Sequence, residues 1–157
     1  MPRKPYPLET LLDLRTRRVE DATVELASAI RARESAEQRR QALEAVRARA
    51  AAEANVARNA ERDALDQGAL RAVDLQRGGA WETVARAERE AMDAKVEHAA
   101  LAEQSAADSE ARARGELVQR KADADVVDKD RSRYLERARK RIVAMEEESA
   151  SDAWRKR

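Results

Sequence analysis

The sequence predicts an all-α fold: a long antiparallel two-helix coiled-coil hairpin with both termini at one end. Three observations carry this. Charged residues make up 40% of the 157 positions, aromatics 3%, and phenylalanine is absent, so there is little material for a thick core. Alanine supplies much of the 43% hydrophobic fraction; it is the best helix former but buries little area. Apolar residues recur at alternating spacings of three and four along two stretches, the mark of a seam facing another helix. Disorder shares the low hydrophobicity and high charge, but the net charge is only +1 and proline is absent after Pro7, which favours helix.

A single coiled-coil unit over 1–157 is expected. Pro2, Pro5 and Pro7 confine the first residues to extended backbone, because proline is tolerated before or at a helix start and not deep inside. The first helix is therefore expected at about 8–65. Glu9 and Asp13 in its first turns suit the positive end of the helix dipole. Its stripe runs Leu12, Arg15, Val19, Ala22, Leu26 and Ala29, with Ile30 beside it. It continues thinly through Ala36, Leu43, Ala50, Ala54 and Ala57, where small residues or arginine replace large apolar groups.

Glycine separates the two stretches, and each glycine costs about 1 kcal/mol relative to alanine inside a helix. One placement of the tip is Gly78-Gly79, giving two equal arms each roughly 100 Å long at ~1.5 Å per residue. The other is a connector at about 66–74, "DQGALRAVD", with Asp74 as N-cap of the second helix. The residues alone do not separate these. The second helix is expected over about 75–149. Its stripe runs Leu117, Arg120, Ala124, Val127, Arg131, Tyr134, Ala138, Arg141 and Met145, with Trp81, Val84, Met92, Val96 and Ala99 upstream. Gly115 reads either as a tolerated surface glycine or as a flexible point in the second arm, and 150–157 as a frayed tail.

Charge is uneven. Residues 1–18 carry five positive and two negative groups, and residues 129–141 seven positive and two negative. Residues 97–110 carry four acidic groups and no Lys or Arg. An antiparallel hairpin sets the first and last segments side by side, which makes a basic end that steers toward acidic partners. The run "RSRYLERARKR" resembles a basic DNA-binding helix. Glu136 and the following Glu146, Glu147 and Glu148 oppose phosphate binding, and no nucleic-acid motif accompanies the run.

Catalytic chemistry has no foothold. There is no cysteine and one histidine, His98, among alanines. Neither a His-centred triad, a metal site nor a phosphate-binding loop is present. Glu88 and Glu90 lie close in sequence, but a two-helix rod offers no pocket to shift a carboxylate. No catalytic residue, cofactor or metal is expected. No stretch approaches the ~20 apolar residues of a membrane span, and "MPRKPYPLETLL" lacks the apolar run of a signal peptide. The 26 arginines against 6 lysines, with the alanine excess, fit a GC-rich bacterial genome.

The start "YPLETLLDLRTRRVEDA" resembles the FliJ/YscO family, the central-stalk proteins of type III export machines. Its members tend to open with an aromatic residue, an apolar pair and an arginine-rich first helix, here Leu8, Leu11, Leu12, Arg15, Arg18 and Ala22. The midsection "DQGALRAVDLQRGGAWETVARAE" resembles the family's connector. The double glycine after "DLQR" and a weakly aromatic midsection depart from the pattern. The resemblance implies a non-enzymatic stalk whose terminal end enters the hexameric export ATPase and whose other region reaches the export gate's cytoplasmic ring. Some members also contact export chaperones. It places the turn near Asp66–Asp74 and implies a cytoplasmic protein peripheral to the inner-membrane apparatus of a flagellum or an injectisome.

The leucines at 8, 11, 12 and 14 cover more than one helix face. One face is expected to pack on the second helix near Tyr134, Ile142 and Met145, leaving the other for a partner. The expected ATPase-binding set is Leu8, Leu11, Leu12, Leu14, Arg15, Arg18, Arg137, Arg139 and Arg141, with Arg17 beside it. Trp81 and Val84 are the expected gate-binding pair, although Trp81 packed across the hairpin is an equal reading; Trp154 has no assigned role. Competing readings are a generic coiled-coil scaffold or chaperone-like rod and a basic-helix nucleic-acid binder. The thin alanine seam leaves self-association of the isolated chain open.

Overall fold

The computed structural model describes residues 5–155, without the side chains of Ala72, Leu75, Asp152 and Ala153. Pro2, Arg3 and Lys4 of the basic leader, and Lys156 and Arg157 of the expected tail, lie outside the described residues. Two helices make up the fold: α1, Glu9–Asp66, and α2, Ala72–Arg155. No strand occurs among the described residues, and no helix is long and apolar enough to cross a membrane. The fold is an all-α helical hairpin.

The helix ends follow from local chemistry. α1 starts from a turn at Pro7 and Leu8: the Glu9 N–H reaches the Tyr6 carbonyl at 3.2 Å, and the Leu12 N–H the Leu8 carbonyl at 3.0 Å. α1 stops at Gly68, which takes φ +65°. There the Gly68 N–H donates to the Leu65 carbonyl and the Ala69 N–H to the Ala64 carbonyl, both at 2.9 Å. This pair of bonds satisfies carbonyls that the last helical turn leaves open. Gly78 and Gly79 lie inside α2.

Asp74 does not take the N-cap position expected of it. It is the third residue of α2, and its Oδ2 accepts the backbone N–H of Arg71 at 3.0 Å. A carboxylate reaching back in this way is half of a capping box, and it also sits at the positive end of the dipole. At the far end, α2 runs through Arg155, so residues 150–155 of the expected frayed tail are helical.

The chain divides into two compact units, residues 1–28 with 111–157, and residues 29–110. In the first unit, Leu12, Arg15, Val19, Ala22 and Leu26 of α1 are buried or half-buried, as are Leu117, Arg120, Ala124, Val127, Arg131, Tyr134 and Ala138 of α2. Contacts run antiparallel: Glu9 pairs with Arg131 at 3.0 Å, and Arg15 donates to the backbone carbonyl of Asp123. Tyr6 closes this unit. Only 6% exposed, it lays its ring against Tyr134 with centroids 5.4 Å apart and donates its hydroxyl to Asp130 Oδ2 at 2.7 Å.

In the second unit the seam is alanine and arginine. Arg33, Arg40 and Arg47 stand seven residues apart on α1 and meet Glu110, Glu103 and Asp93 of α2 in antiparallel order. Arg33 Nε lies 2.9 Å from Glu110, a charge contact rather than an aligned hydrogen bond. Between the charges only Val96 and Ala99 are buried apolar groups. Arg47–Asp93 is exposed and contributes about 0–1 kcal/mol. Glu110 and the Arg40–Glu103 pair are buried or half-buried, where desolvation offsets much of the attraction. The main effect of all three is therefore to fix register where alanines cannot.

Two expectations follow. Gly68→Ala places a Cβ at positive φ and should cost about 1–2 kcal/mol, whereas Gly115→Ala meets open space within the helix and should gain about 1 kcal/mol; thermal unfolding of both variants checks the opposite signs. Burial, then the hydrogen bond to Asp130 and the nearby negative charges, push the Tyr6 hydroxyl up to about 12. Because the folded value exceeds the unfolded one near 10, the stabilisation holds below pH 10 and is lost as pH rises toward 12. Tyr6→Phe should flatten that part of a stability-versus-pH curve relative to the parent chain.

Candidate docking surface near the chain ends

The first unit carries its large apolar groups unevenly. Leu11 and Leu12 are half-buried in or beside the seam. Leu14 lies outside it and is 46% exposed, whereas Leu8, four residues before Leu12 and so on the seam's own spacing, is left 43% exposed at the seam's open end. The sequence puts leucines on more than one face, and the helix turns the surplus outward. Such exposed apolar groups mark interaction surfaces when they cluster with charge.

The charged partners of these leucines divide into two kinds. Arg15 is half-buried and spent on closing the seam through the Asp123 carbonyl. Arg18 is exposed and borders a shallow hollow of about 340 Å³ with Asp21, Glu25 and the Glu116–Arg120 ion pair. On α2, Arg137, Arg139 and Arg141 are all exposed, and Arg141 Nε reaches only its own helix, the Arg137 carbonyl at 3.4 Å. Lys140 pairs with Glu136 at 2.8 Å. That hydrogen bond raises the Lys140 ammonium and lowers the Glu136 carboxyl from their ordinary values, so both stay charged.

The expected packing of the leucines near Ile142 and Met145 is not what the fold has. The leader meets α2 at Asp130 and Tyr134, and every side chain from Arg139 to Ser151 is exposed. Ile142 is 40% and Met145 61% exposed. α2 thus extends past the point where the described leader meets it. The periodicity of α2 continues there, but no described residue faces it.

In the second unit, Trp81 and Val84 are both exposed. Trp81 borders a groove of about 780 Å³ whose floor is Ala50, Ala54, Ala57, Ala85 and Met92. The groove exists because alanines at seam positions are too short to fill the space between two helices. Trp81 therefore both edges the seam and presents a face to solvent. His98 is exposed, and no cluster able to hold a metal occurs among the described residues.

Two features escape a reading of the sequence. Tyr6 reads as leader, yet it is the clamp of the first unit; the signal available is that the chain has just two tyrosines, and they meet. The arginines at 33, 40 and 47 read as interruptions of an apolar stripe and are its register-setting contacts. In the first unit, the exposed parts of Leu8 and Leu14, the exposed arginines and a shallow hollow give a surface suited to docking.

A family model described as "YscO-like protein" matches residues 3–153. No curated protein and no solved structure matches the chain significantly. With an all-α hairpin and a family match over nearly its whole length, the chain belongs to the YscO-like family, whose members are structural components of type III secretion.

Proposed function

We propose that this chain is the non-enzymatic stalk of a type III export apparatus, on the cytoplasmic side of a bacterial inner membrane. The ends of the hairpin insert into the central opening of the hexameric export ATPase, and the Trp81–Val84 surface links it to the cytoplasmic ring of the export gate. The observation that carries this reading is the exposure of Leu8 and Leu14 in the unit that also exposes Arg18, Arg137, Arg139 and Arg141. Leu14, turned away from the seam, and Leu8, left open at its end, offer apolar surface that folding leaves unused. The exposed arginines of the same unit steer the end toward an acidic opening, and the leucines contribute affinity as they are buried there.

A nucleic-acid reading has the exposed arginines in its favour, and the Glu136–Lys140 pair and Glu146 to Glu148 against it. Binding dominated by phosphate contacts would fall steeply with salt, whereas docking anchored by Leu8 and Leu14 would fall less.

The double variant Leu8→Ser, Leu14→Ser tests the proposal. Fully burying a leucine contributes roughly 1.5–3 kcal/mol, and with each already more than half buried about half of that remains, so loss of both should weaken binding to the purified export ATPase by about tenfold to a hundredfold. Helicity by circular dichroism should stay close to parental, because Leu14 lies outside the seam and Leu8 at its open end. Parental affinity in the double variant would overturn the assignment of this surface.

A further inference from the structure

The part of α2 that runs past its described partner has a definite chemical character. The seam face of α2 is half-buried as far as Tyr134 and Ala138. At about 100° per residue the same face continues through Ile142, Met145 and Ser149, all exposed. This is a coiled-coil seam continued without a facing helix among the described residues. Its flanks carry charge in two blocks. Arg141 and Glu148 lie on one side of the face, and Arg139 and Glu146 on the other. Lys140 and Glu147 lie at the back, where Lys140 is already paired with Glu136.

We propose that a second copy of this chain covers the face, the two α2 ends pairing antiparallel about a two-fold axis between Ile142 and Met145. The sequence is self-complementary in that arrangement. Ile142 of one copy meets the partner's Met145, and Ala138 meets the partner's Ser149. Beyond Ser149 the partner's residues 150–155 reach the face of Tyr134 and Arg131 that Tyr6 and Glu9 already fill, so the pair ends there and these residues diverge from it. In an antiparallel pair each flank faces the same flank of the other helix. Arg141 therefore meets the partner's Glu148, and Arg139 meets the partner's Glu146. The two-fold axis repeats each contact, so all four charges of each copy are matched. A parallel pair sets each flank against the opposite one. It would match Arg141 with the partner's Glu146 and leave Arg139 and Glu148 without a charged partner, so charge favours the antiparallel form. The contact is continuous with the seam already formed in the first unit. It spans only a few turns, well short of the area of an obligate interface, so the pairing is concentration-dependent. It also covers Arg139 and Arg141, and so a paired copy withholds part of the surface proposed above for the ATPase.

Sedimentation equilibrium of the full chain tests this, with no ATPase present, so that failure here leaves the stalk reading to its own experiment. The parent chain should dimerise reversibly. Arg139→Glu with Arg141→Glu makes both blocks acidic, and Glu146→Arg with Glu148→Arg makes both basic. Each double variant alone should associate at least about tenfold more weakly, since four exposed ion pairs become repulsive. An equimolar mixture of the two should recover the parental association as a heterodimer. Ile142→Ser with Met145→Ser should lose dimerisation whether alone or mixed. A parent chain monomeric at every concentration would overturn the proposal. So would double variants that self-associate as the parent does, or a mixture that fails to recover, provided circular dichroism shows the helices intact.

Discussion

The constraint on which this structure rests is the poverty of its seam. Helices of 58 and 84 residues gain most of their stability from packing rather than propensity. Yet Tyr6, Ala22, Val96, Ala99 and Val127 are the buried apolar groups among the described residues, and no side chain is fully enclosed. Register is therefore set by a few directional contacts. In one unit these are the Tyr6–Asp130 hydrogen bond, the Tyr6–Tyr134 ring contact and the Glu9–Arg131 pair. In the other they are the three arginines that meet acidic groups across the seam. Glu110 is buried at 8% exposure beside Arg33. A charge so placed is costly when its partner is wrong, and so penalises slipped registers more than it adds stability.

Large apolar groups are scarce enough that their placement carries information. Val96 and Val127 are spent on the seam, and Leu11, Leu12, Val19 and Leu26 are partly so. Leu8, Leu14, Trp81, Ile142 and Met145 are exposed. In an ordinary globule scattered exposed leucines need no explanation. Here Leu8 and Leu14 flank the start of α1, and Ile142 and Met145 continue a seam. Both places are where a helix of another chain could add what the two helices lack. The proposed docking into an export ATPase and the proposed pairing with a second copy would thus be two uses of surfaces in the same unit. Both proposals draw on Arg139 and Arg141, so under them a paired copy would keep this end covered until a preferred partner is met.

Whatever obeys periodicity or punctuation is legible in the sequence. The two helices, the seam positions from Leu12 to Leu26 and from Leu117 to Ala138, and the helical hairpin follow from three-four spacing and the lack of proline after Pro7. Gly68 is one of three candidate glycines, and it is the positive φ that distinguishes it from Gly78 and Gly79. Less legible are matters of opposition and offset. Periodicity says which face Ile142 and Met145 occupy, not whether anything stands opposite, and so it misplaces their packing. Asp74 is recognisable as a capping residue but not by its position, because an acidic side chain can cap from either end of the box. Tyr6 precedes the helix, where no period applies. The family is legible from the opening stretch and the connector, while the roles of individual leucines and arginines rest on exposure, which a stripe alone does not reveal.

The central claim is that one hairpin end serves one ATPase ring. Its most direct test is the hydrolysis rate of the export ATPase from the same organism, titrated with this chain and read together with the amount of chain bound. Rate stimulation that saturates at one stalk per ring, with binding saturating at the same point, is the predicted result. Stoichiometric binding to every ATPase subunit, or no binding and no stimulation by a fully helical chain, would contradict it.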